Sequence, residues 1–441
     1  MRLPAFRILR IALAFGAVAA GGEAIAGEEG VSLNGRAYTD QYLFTQGARA
    51  GNFEQSNLSA WLDLDAHTAN GFGARIIGQG DVFYRSIEEA SKPSFRAALR
   101  EGYASYLGTG FEVKIGQQII PWGKSDGVNP TDYFTAKNLT LLNPDEEVRR
   151  TGAFAANASF TPAVGTSPFT FQLVAQASAP QMKLLIPEQS VPAGVRFERY
   201  LDTPLPFRGR YEIGGKISLL KPDFDVSLSA FRGYSHFPQY QLNPGTLTVS
   251  PVYPGQTAVG ADASFTARQY IFRFESALLM PDNGKDTDPA AGTVEPWHWD
   301  SVIGAERPIG DDFRAQLQFL YRWHLFFPGG PAPTGNPLID QLRAGIARAN
   351  SLILNYQYRG NPGATFRLGY SSGHSDFSGD VFLIGYFGYG QDFLLRPQIG
   401  YTPVTNLKLT LGADFYGGNA SRPLGALRDR SHAFFETRCL F

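Results

Sequence analysis

Residues 312–324 read DFRAQLQFLYRWH, and this stretch decides the fold. Apolar residues alternate with residues that are mostly charged or carry an amide. The apolar positions are Phe313, Ala315, Leu317, Phe319 and Tyr321, and the polar positions are Arg314, Gln316, Gln318 and Arg322. Because successive side chains of a β-strand point to opposite faces, the stretch predicts a strand with one apolar and one polar face.

The same period of two recurs along the chain, for example in 269–279 and 406–416. Segments of about ten residues with this character run from Val31 to Phe441, with turn-forming residues between them. We predict eighteen strands, at 31–43, 57–67, 71–85, 97–107, 110–118, 151–161, 168–178, 209–220, 223–234, 257–267, 268–279, 298–307, 312–325, 349–359, 363–372, 393–401, 406–416 and 430–441.

The predicted connections differ in length. Residues 68–70 and 108–109 are tight turns, whereas 119–150 and 179–208 are long and polar. Short periplasmic turns and long extracellular loops are typical of an outer-membrane barrel.

The number of strands should be even, because both termini should lie at the short-turn end. Residues 377–388 are also strand-like and would make the number odd. We therefore place them in the long connection before Phe393. They could instead replace a weaker segment, which leaves sixteen strands open.

We therefore predict an all-β fold, a transmembrane antiparallel barrel. A charge that faces lipid at the bilayer midplane costs ~2–4 kcal/mol, so the apolar rows should face outwards and the polar rows should line the lumen. Backbone groups cannot stay unpaired in hydrocarbon, so the sheet must close on itself. The alternative is a periplasmic or secreted all-β protein, whose apolar faces would need a second sheet to cover them.

Composition excludes several classes of protein. The chain has 441 residues, with 39 Lys and Arg, 40 Asp and Glu, 6 His and one cysteine, Cys439. The near-neutral balance offers no basic surface for nucleic acid. A single cysteine excludes an internal disulfide and a multi-cysteine zinc site.

Enzyme motifs are missing from the sequence. The histidines are scattered, and the local motifs of metalloproteases, serine hydrolases and phosphate-binding loops do not occur. We predict no enzyme, no metal and no cofactor. A barrel enzyme that assembles Ser, His and Asp across several strands stays open as an alternative.

Both ends of the chain carry signals. Residues 1–26 combine a basic start, a short apolar run and small residues at 24 and 26, the pattern of a cleaved signal peptide. An N-terminal membrane anchor is less well supported, because a spanning helix needs ~20 apolar residues. Residues 27–441 then form a single barrel domain in the outer membrane of a Gram-negative cell. The last ten residues alternate and end at Phe441, which resembles the C-terminal signal that the barrel-assembly machinery reads.

Residues 113–150 read VKIGQQIIPWGKSDGVNPTDYFTAKNLTLLNPDEEVRR. This stretch resembles a porin-like group of proteobacterial outer-membrane barrels known mostly as a domain of unknown function. In that group a strand ending in Gly-x-Gln is followed by Trp-Gly and then by an Asn-Pro-x-Asp turn. The matching positions here are Gly116-Gln117-Gln118, Trp122-Gly123-Lys124 and Asn129-Pro130-Thr131-Asp132. The resemblance is dense over about forty residues and implies a porin-like barrel.

A loop as long as 119–150 is unusual unless it is functional or folds against something. One hypothesis is a constriction loop that folds inwards, with Lys124, Asp126 and Asp132 facing the solute. The alternative, which we favour, is a packed loop that its aromatic and polar residues fix to the barrel wall. The candidate residues are Trp122, Lys124, Asp126, Asn129 and Asp132. In the same segment, Asn143, Pro144 and Asp145 predict a cap for a short helical turn at Glu146.

Charged residues on the polar faces are candidates for the lumen. They are Arg75, Asp81, Arg85, Arg273, Glu275, Arg314 and Arg322. The arginines could pair with carboxylates in networks along the wall or form a cationic ladder for anionic solutes. We prefer networks because acidic residues are mixed in.

As a function, the sequence predicts passive passage of small solutes through a porin-like channel. One alternative is an outer-membrane component of an export system for lipid or another hydrophobe, with periplasmic export partners, a role that the resemblance implies. The other alternative is a structural or adhesive barrel with a closed lumen. Expected partners are outer-membrane lipids and the barrel-assembly machinery, and a homo-oligomer stays open.

Overall fold

The computed structural model describes residues 30–47, 50–85, 94–162, 169–184, 194–198, 210–282, 295–327, 331–388 and 390–441. Within these residues, eighteen antiparallel strands form one sheet that closes on itself, because the last strand pairs with the first. The prediction of an all-β barrel with about eighteen strands is confirmed. The predicted signal peptide lies outside the described residues, and so does the side chain of Arg85.

Each barrel strand pairs with its neighbour along the chain, apart from the closing pair. The strands are β1 (Gly30–Phe44), β2 (Phe53–His67), β3 (Phe72–Arg85), β4 (Ser94–Gly108), β5 (Phe111–Gln118), β6 (Ala153–Phe160), β7 (Phe169–Gln176), β8 (Glu212–Leu220), β9 (Phe224–Tyr234), β10 (Gly255–Ala267), β11 (Tyr270–Pro281), β12 (His298–Ile309), β13 (Phe313–His324), β14 (Gly360–Ser371), β15 (Phe377–Tyr386), β16 (Asp392–Val404), β17 (Leu407–Gly418) and β18 (His432–Leu440).

Further elements lie in the connections. They are the one-turn helix α1 (Glu146–Arg149), the helix α2 (Pro337–Ile353), a short 3₁₀ helix (Gly425–Arg430), a two-stranded pair (Ala136–Lys137 and Arg150–Thr151) and a small sheet of Arg196–Phe197, Gln239–Asn243 and Thr248–Val252. Among the described residues, no helix has both the length and the apolar character needed to cross a membrane.

The prediction of a strand at 349–359 is wrong. The Asn336 side chain accepts hydrogen bonds from the backbone N–H groups of Leu338 and Ile339, and Pro337 occupies the first turn. A helix that begins with these signals runs to Ile353, so the apolar run near 352–354 belongs mainly to its last turn.

The placement of 377–388 in a connection is also wrong, because β15 occupies most of this stretch. Its inward positions include Phe382 and Ile384, so the alternation of apolar and polar residues is blurred. A Cβ added to Gly127, in the connection after β5, would lie 3.9 Å from the Phe382 ring. The inner face of β15 is therefore apolar where another part of the chain approaches it. The two errors cancel in the number of strands.

The apolar rows face outwards. In β13, 60 % of the Phe319 surface and 49 % of the Leu317 surface are exposed on the outside, whereas Gln318, between them, is 1 % exposed. Most inward-facing side chains are buried or half-buried, because other parts of the chain inside the barrel cover them.

The two ends of the barrel differ. Connections at one end are tight turns such as 109–110, 221–223, 268–269 and 405–406, and this end also holds the start of β1 and the end of β18. Most connections at the other end are longer, including 119–152 and 325–359. At the short-turn end, the backbones of Gly35 and Phe441 exchange hydrogen bonds of 2.6 and 2.9 Å. A Cβ at Gly35 would lie 2.3 Å from the Phe441 ring, so a larger residue there would displace that ring from its present position at the seam between β18 and β1.

Candidate functional site

The connection between β5 and β6, residues 119–152, turns into the barrel and contacts inward-facing side chains of the wall. We call it the inner segment, with a first half at 119–134 and a second half at 135–152. Most residues of both halves are buried or half-buried.

The first half carries an apolar cluster. The Trp122 ring packs edge-on against Phe134 at 5.0 Å and against Tyr133 at 6.0 Å between centroids. Phe231 of β9 stacks on Tyr133 at 5.4 Å. Wall residues of β6, β7, β10 and β11 complete the cluster: Ala155, Val174, Ala258 and Ala277. Small wall residues thus make room for large rings on the segment.

Beyond the apolar cluster, polar contacts attach the first half of the inner segment to the wall. The Lys124 ammonium lies 2.7 Å from Asp262 of β10 and also contacts Asp225 of β9. Backbone N–H groups of the same stretch donate to the carboxylate of Glu275 on β11. Further along, Asp126 accepts a 2.7 Å hydrogen bond from Arg367 of β14. The stretch 124–126 is therefore attached to four strands.

The second half lies against the opposite part of the wall. Leu141 and Val148 pack with Tyr38, Trp61 and Ile77 of the first three strands. Leu142 packs with Tyr42 of β1 and Phe434 of β18.

One amide connects the second half to two buried carboxylates. The Asn143 side chain donates to Asp40 of β1 at 3.3 Å and to Glu436 of β18 at 2.7 Å. These two carboxylates occupy directly paired positions of the neighbouring strands. The Asn143 oxygen in turn accepts from the backbone N–H of Asp145 at 2.9 Å.

Ion pairs hold the end of the second half. Glu147 accepts from Arg36 of β1 at 3.0 Å, and Asp145 accepts from Arg438 of β18 at 3.0 Å. The predicted cap is confirmed, because the Asp145 side chain accepts from the Glu147 N–H at the start of α1. Arg100 of β4 donates to the backbone oxygen of Glu147 at 2.6 Å.

A polar cavity of about 470 Å³ lies beside 124–126, towards the short-turn ends of β11–β15. The segment contributes Lys124, Ser125 and Asp126, and the wall contributes Arg273, Glu306, Arg314, Gln316, Arg367, Gly369 and Asp380. Most of these lining side chains are charged. The Arg314 side chain is 73 % exposed, so it faces the open part of this space.

The predicted constriction-loop residues occupy different environments. Lys124 and Asp126 line the cavity, whereas Trp122 lies in the apolar cluster. With its amide oriented to satisfy both atoms, the Asn129 NH₂ group donates to the backbone oxygens of Ser125 and Val128. Asp132 is packed within the segment and accepts from the Trp122 N–H at 3.2 Å. Burial raises the pKa of Asp132 to about 6, although the positive charge of Lys137 opposes the shift.

The predicted lumen charges are mostly paired along the wall. Arg273 lies 2.5 Å and Arg314 3.3 Å from Glu306 of β12. Three further pairs join neighbouring strands: Arg75 with Asp63 at 2.6 Å, Asp81 with Arg96 at 2.7 Å, and Arg322 with Asp300 at 2.5 Å. For Arg85 the structure places only the backbone, opposite Gln55.

Sequence reasoning missed several residues that complete the site. Glu306 and Asp380 line the cavity, and Arg367 joins it to the inner segment. Glu306 and Arg367 lie on polar faces, so the alternation pattern marks them as inward-facing. Asp380 lies on β15, which the sequence predicts as part of a connection. Their proximity to 124–126 depends on the closure of the barrel, which the local pattern does not encode.

Comparisons with known proteins identify solved structures with a similar fold. No family model and no curated protein matches the chain. Among solved structures, it is similar to Pseudomonas aeruginosa OccK5 (OpdH), with a TM-score of 0.53, 11 % identity, and coverage of 93 % of this chain and 96 % of that one. It is similar to Acinetobacter baumannii OccAB1 with a TM-score of 0.54, 10 % identity and coverage of 95 % and 99 %.

A third similar structure is a BenF-like porin from Pseudomonas fluorescens Pf-5, with a TM-score of 0.51, 10 % identity and coverage of 94 % and 98 %. At these identities the similarity shows a common barrel fold over nearly the whole length of each chain.

Proposed function

We propose that the protein is an outer-membrane channel that lets small polar solutes diffuse through the barrel lumen past the inner segment. The observation that carries the proposal is the cavity beside 124–126, which charged side chains of both the segment and the wall line. A barrel fold shared with a BenF-like porin supports the same function.

The polarity of the side chains that line the cavity favours polar solutes over hydrophobic ones. The large apolar side chains that face inwards near the first half, such as Phe231, are packed against Trp122, Tyr133 and Phe134. The cavity is lined instead by arginines, carboxylates and a lysine. A route for lipid would need open apolar surface, so the distribution of side chains favours a polar solute.

The outward apolar rows support a location in the outer membrane, with the short turns in the periplasm. Outer-membrane lipids would then contact residues such as Phe319 and Leu317. The barrel-assembly machinery would recognise the terminal strand β18 together with Phe441, the residue after it, whose backbone is hydrogen-bonded to Gly35 at the seam. A homo-oligomer and periplasmic export partners stay hypotheses from the sequence.

Single-channel conductance of the reconstituted protein tests the proposal. Deleting 124–140 removes the part of the segment that borders the cavity, so we expect a larger conductance than that of the wild type. The electrophoretic mobility shift on heating verifies that the variant has folded. Deleting the exposed turn 244–246 serves as the control and should leave the conductance unchanged.

Two outcomes would contradict the proposal. A wild-type barrel without conductance, which conducts only after the deletion, would indicate a closed barrel in which the segment is a plug. Lipid that co-purifies with a non-conducting wild type and is lost in the deletion variant would indicate the hydrophobe route.

A further inference from the structure

Glu275 lies in the middle of β11 and faces inwards, and none of its surface is exposed. Its partner on β10 is Asp262, whose carboxylate is also buried. Asp262 has two ammonium partners, Lys124 at 2.7 Å and Lys216 at 3.0 Å. No lysine or arginine forms an ion pair with Glu275 among the described residues. Its charge must therefore be stabilised in another way.

The inner segment supplies that stabilisation through hydrogen-bond donors. One carboxylate oxygen, Oε1, accepts from the backbone N–H groups of Lys124 and Ser125, the latter at 2.5 Å. The other oxygen, Oε2, accepts from the Thr131 hydroxyl at 3.2 Å and from the Thr131 N–H at 3.4 Å. Consecutive backbone N–H groups that converge on one oxygen form an anion-binding concavity. Here the bound anion is a side chain of the barrel wall.

Gly123 allows the carboxylate to come this close. Its φ of +96° lies in the region that favours glycine, and an added Cβ would lie 2.9 Å from both carboxylate oxygens of Glu275. The sequence Trp122-Gly123-Lys124 therefore suits a turn that wraps around a buried carboxylate.

The other attachments of this stretch are ion pairs in which at least one partner reaches solvent. The side chain of Lys124, which pairs with the buried Asp262, is 18 % exposed. The side chains of Asp126 and Arg367 are 39 % and 41 % exposed, and pairs of this kind contribute little in water. Hydrogen bonds to a fully buried charge are stronger, because water cannot replace them. Glu275 is thus the attachment that best determines where 124–126 lies.

We propose that Glu275 is the positioning residue that seats the inner segment and thereby sets the width of the passage beside Lys124 and Asp126. This role rests on the proposed function, because it assumes that solutes pass through the cavity. The sequence predicts Glu275 as a charge that lines the lumen. In the structure, Glu275 is buried under the segment and does not border the open space of the cavity.

Glu275→Gln tests the role, because glutamine has nearly the same shape but lacks the charge and one of the two acceptor oxygens. The fraction of channels with an unseated segment should rise about 10-fold or more, as expected for the loss of hydrogen bonds to a charged group. Single-channel recordings should show a higher conductance with more frequent transitions between levels. Gly123→Ala should have the same effect, since its Cβ would displace the same carboxylate.

The conservative variant Glu275→Asp separates positioning from packing. Aspartate keeps the charge and both oxygens but is one methylene shorter, so it should restore the wild-type conductance at least in part. If only the volume of the side chain matters, glutamine will behave like the wild type and aspartate will not. That outcome would overturn the proposal.

A distance measurement gives a readout that does not depend on conduction. Spin labels at Val128→Cys on the segment and Gln316→Cys on the wall, with Cys439→Ser, report the position of the segment. Glu275→Gln should broaden the distance distribution. Asp63→Asn is the control, because Asp63 is a wall carboxylate whose hydrogen-bond partner is Arg75 of the neighbouring strand rather than the segment.

The two readouts distinguish failure of this inference from failure of the proposed function. An unchanged distance distribution and unchanged conductance in Glu275→Gln would overturn the positioning role. A wild type that does not conduct would contradict the channel function. If the distance distribution between the spin labels still broadens in Glu275→Gln, the positioning role of Glu275 is supported independently.

Discussion

The two halves of the inner segment are attached to the barrel by different kinds of interaction. The first half places three aromatic rings against small wall residues and wraps its backbone around Glu275. The second half relies more on charge, with Asn143 between two carboxylates and with ion pairs to Arg36 and Arg438. Apolar burial depends little on salt, whereas partly exposed ion pairs are screened by it.

This difference indicates which half of the inner segment responds to ionic strength. The first half borders the cavity and, apart from its exposed Asp126–Arg367 pair, should keep its attachments over a wide range of ionic strength. The second half includes Glu147, whose side chain is 59 % exposed, and Asp145, which is 27 % exposed. A long connection can thus combine a rigid part that borders the cavity with a part whose attachment varies with salt.

The largest expected effect comes from Trp122→Ala. Trp122 is 3 % exposed, and removing a buried tryptophan costs about 3–5 kcal/mol. We expect a lower urea midpoint and new protease cleavage within 119–134.

Trp61→Ala is the matched variant, because Trp61 is also 3 % exposed but packs under the second half. It should expose cleavage sites within 135–152 instead. Cleavage at the same sites in both variants would contradict the view that the halves are held independently.

The stability that the first half contributes should depend on pH. Because burial raises the pKa of Asp132 to about 6 from 3.8, the folded protein keeps this proton at a pH where the unfolded chain has lost it. The contribution to stability is complete below pH 3.8 and is lost as the pH rises towards 6. A shift of about two pKa units corresponds to ~3 kcal/mol.

Asp132→Asn should remove this dependence, since the amide keeps an oxygen for the Trp122 N–H and does not ionise. Urea midpoints of both proteins at about pH 4.5, within the window, and at about pH 7, above it, measure the difference. Equal changes of midpoint in wild type and variant would mean that Asp132 does not titrate in this range.

The strands could be predicted from the sequence because an apolar outer face and a polar inner face impose a period of two on each strand. The prediction fails where that rule weakens. At β15, the inward residue Phe382 lies near the inner segment rather than in water, so both faces carry apolar residues. At 349–359, the apolar run belongs mainly to the end of a helix. The signals that start this helix lie near Asn336, outside the stretch that was predicted as a strand.

The candidate site could be predicted only in part. A stretch with Trp122, Gly123 and Asn129 stands out as unusual, and its charged residues Lys124 and Asp126 do reach the cavity. Their partners could not be predicted, because Glu275 is 151 positions from Lys124 along the chain. Contacts of this kind form only when the sheet has closed, and the alternation that predicts each strand carries no information about them.

The smallest expected effect comes from Glu147→Gln, which removes an exposed charge from the second half. Exposed pairs contribute about 0–1 kcal/mol, so the urea midpoint should fall slightly at low salt and hardly at all at high salt. Glu436→Gln is the comparison within the same half, because Glu436 is 6 % exposed and accepts from both Asn143 and Arg438. Its loss should cost about 1–3 kcal/mol and persist at high salt. The contrary outcome is that Glu147→Gln lowers the urea midpoint as much as Glu436→Gln at every salt concentration. Screening would then not distinguish the exposed ion pair from the buried one. In that case the second half is not the part of the segment that responds to salt.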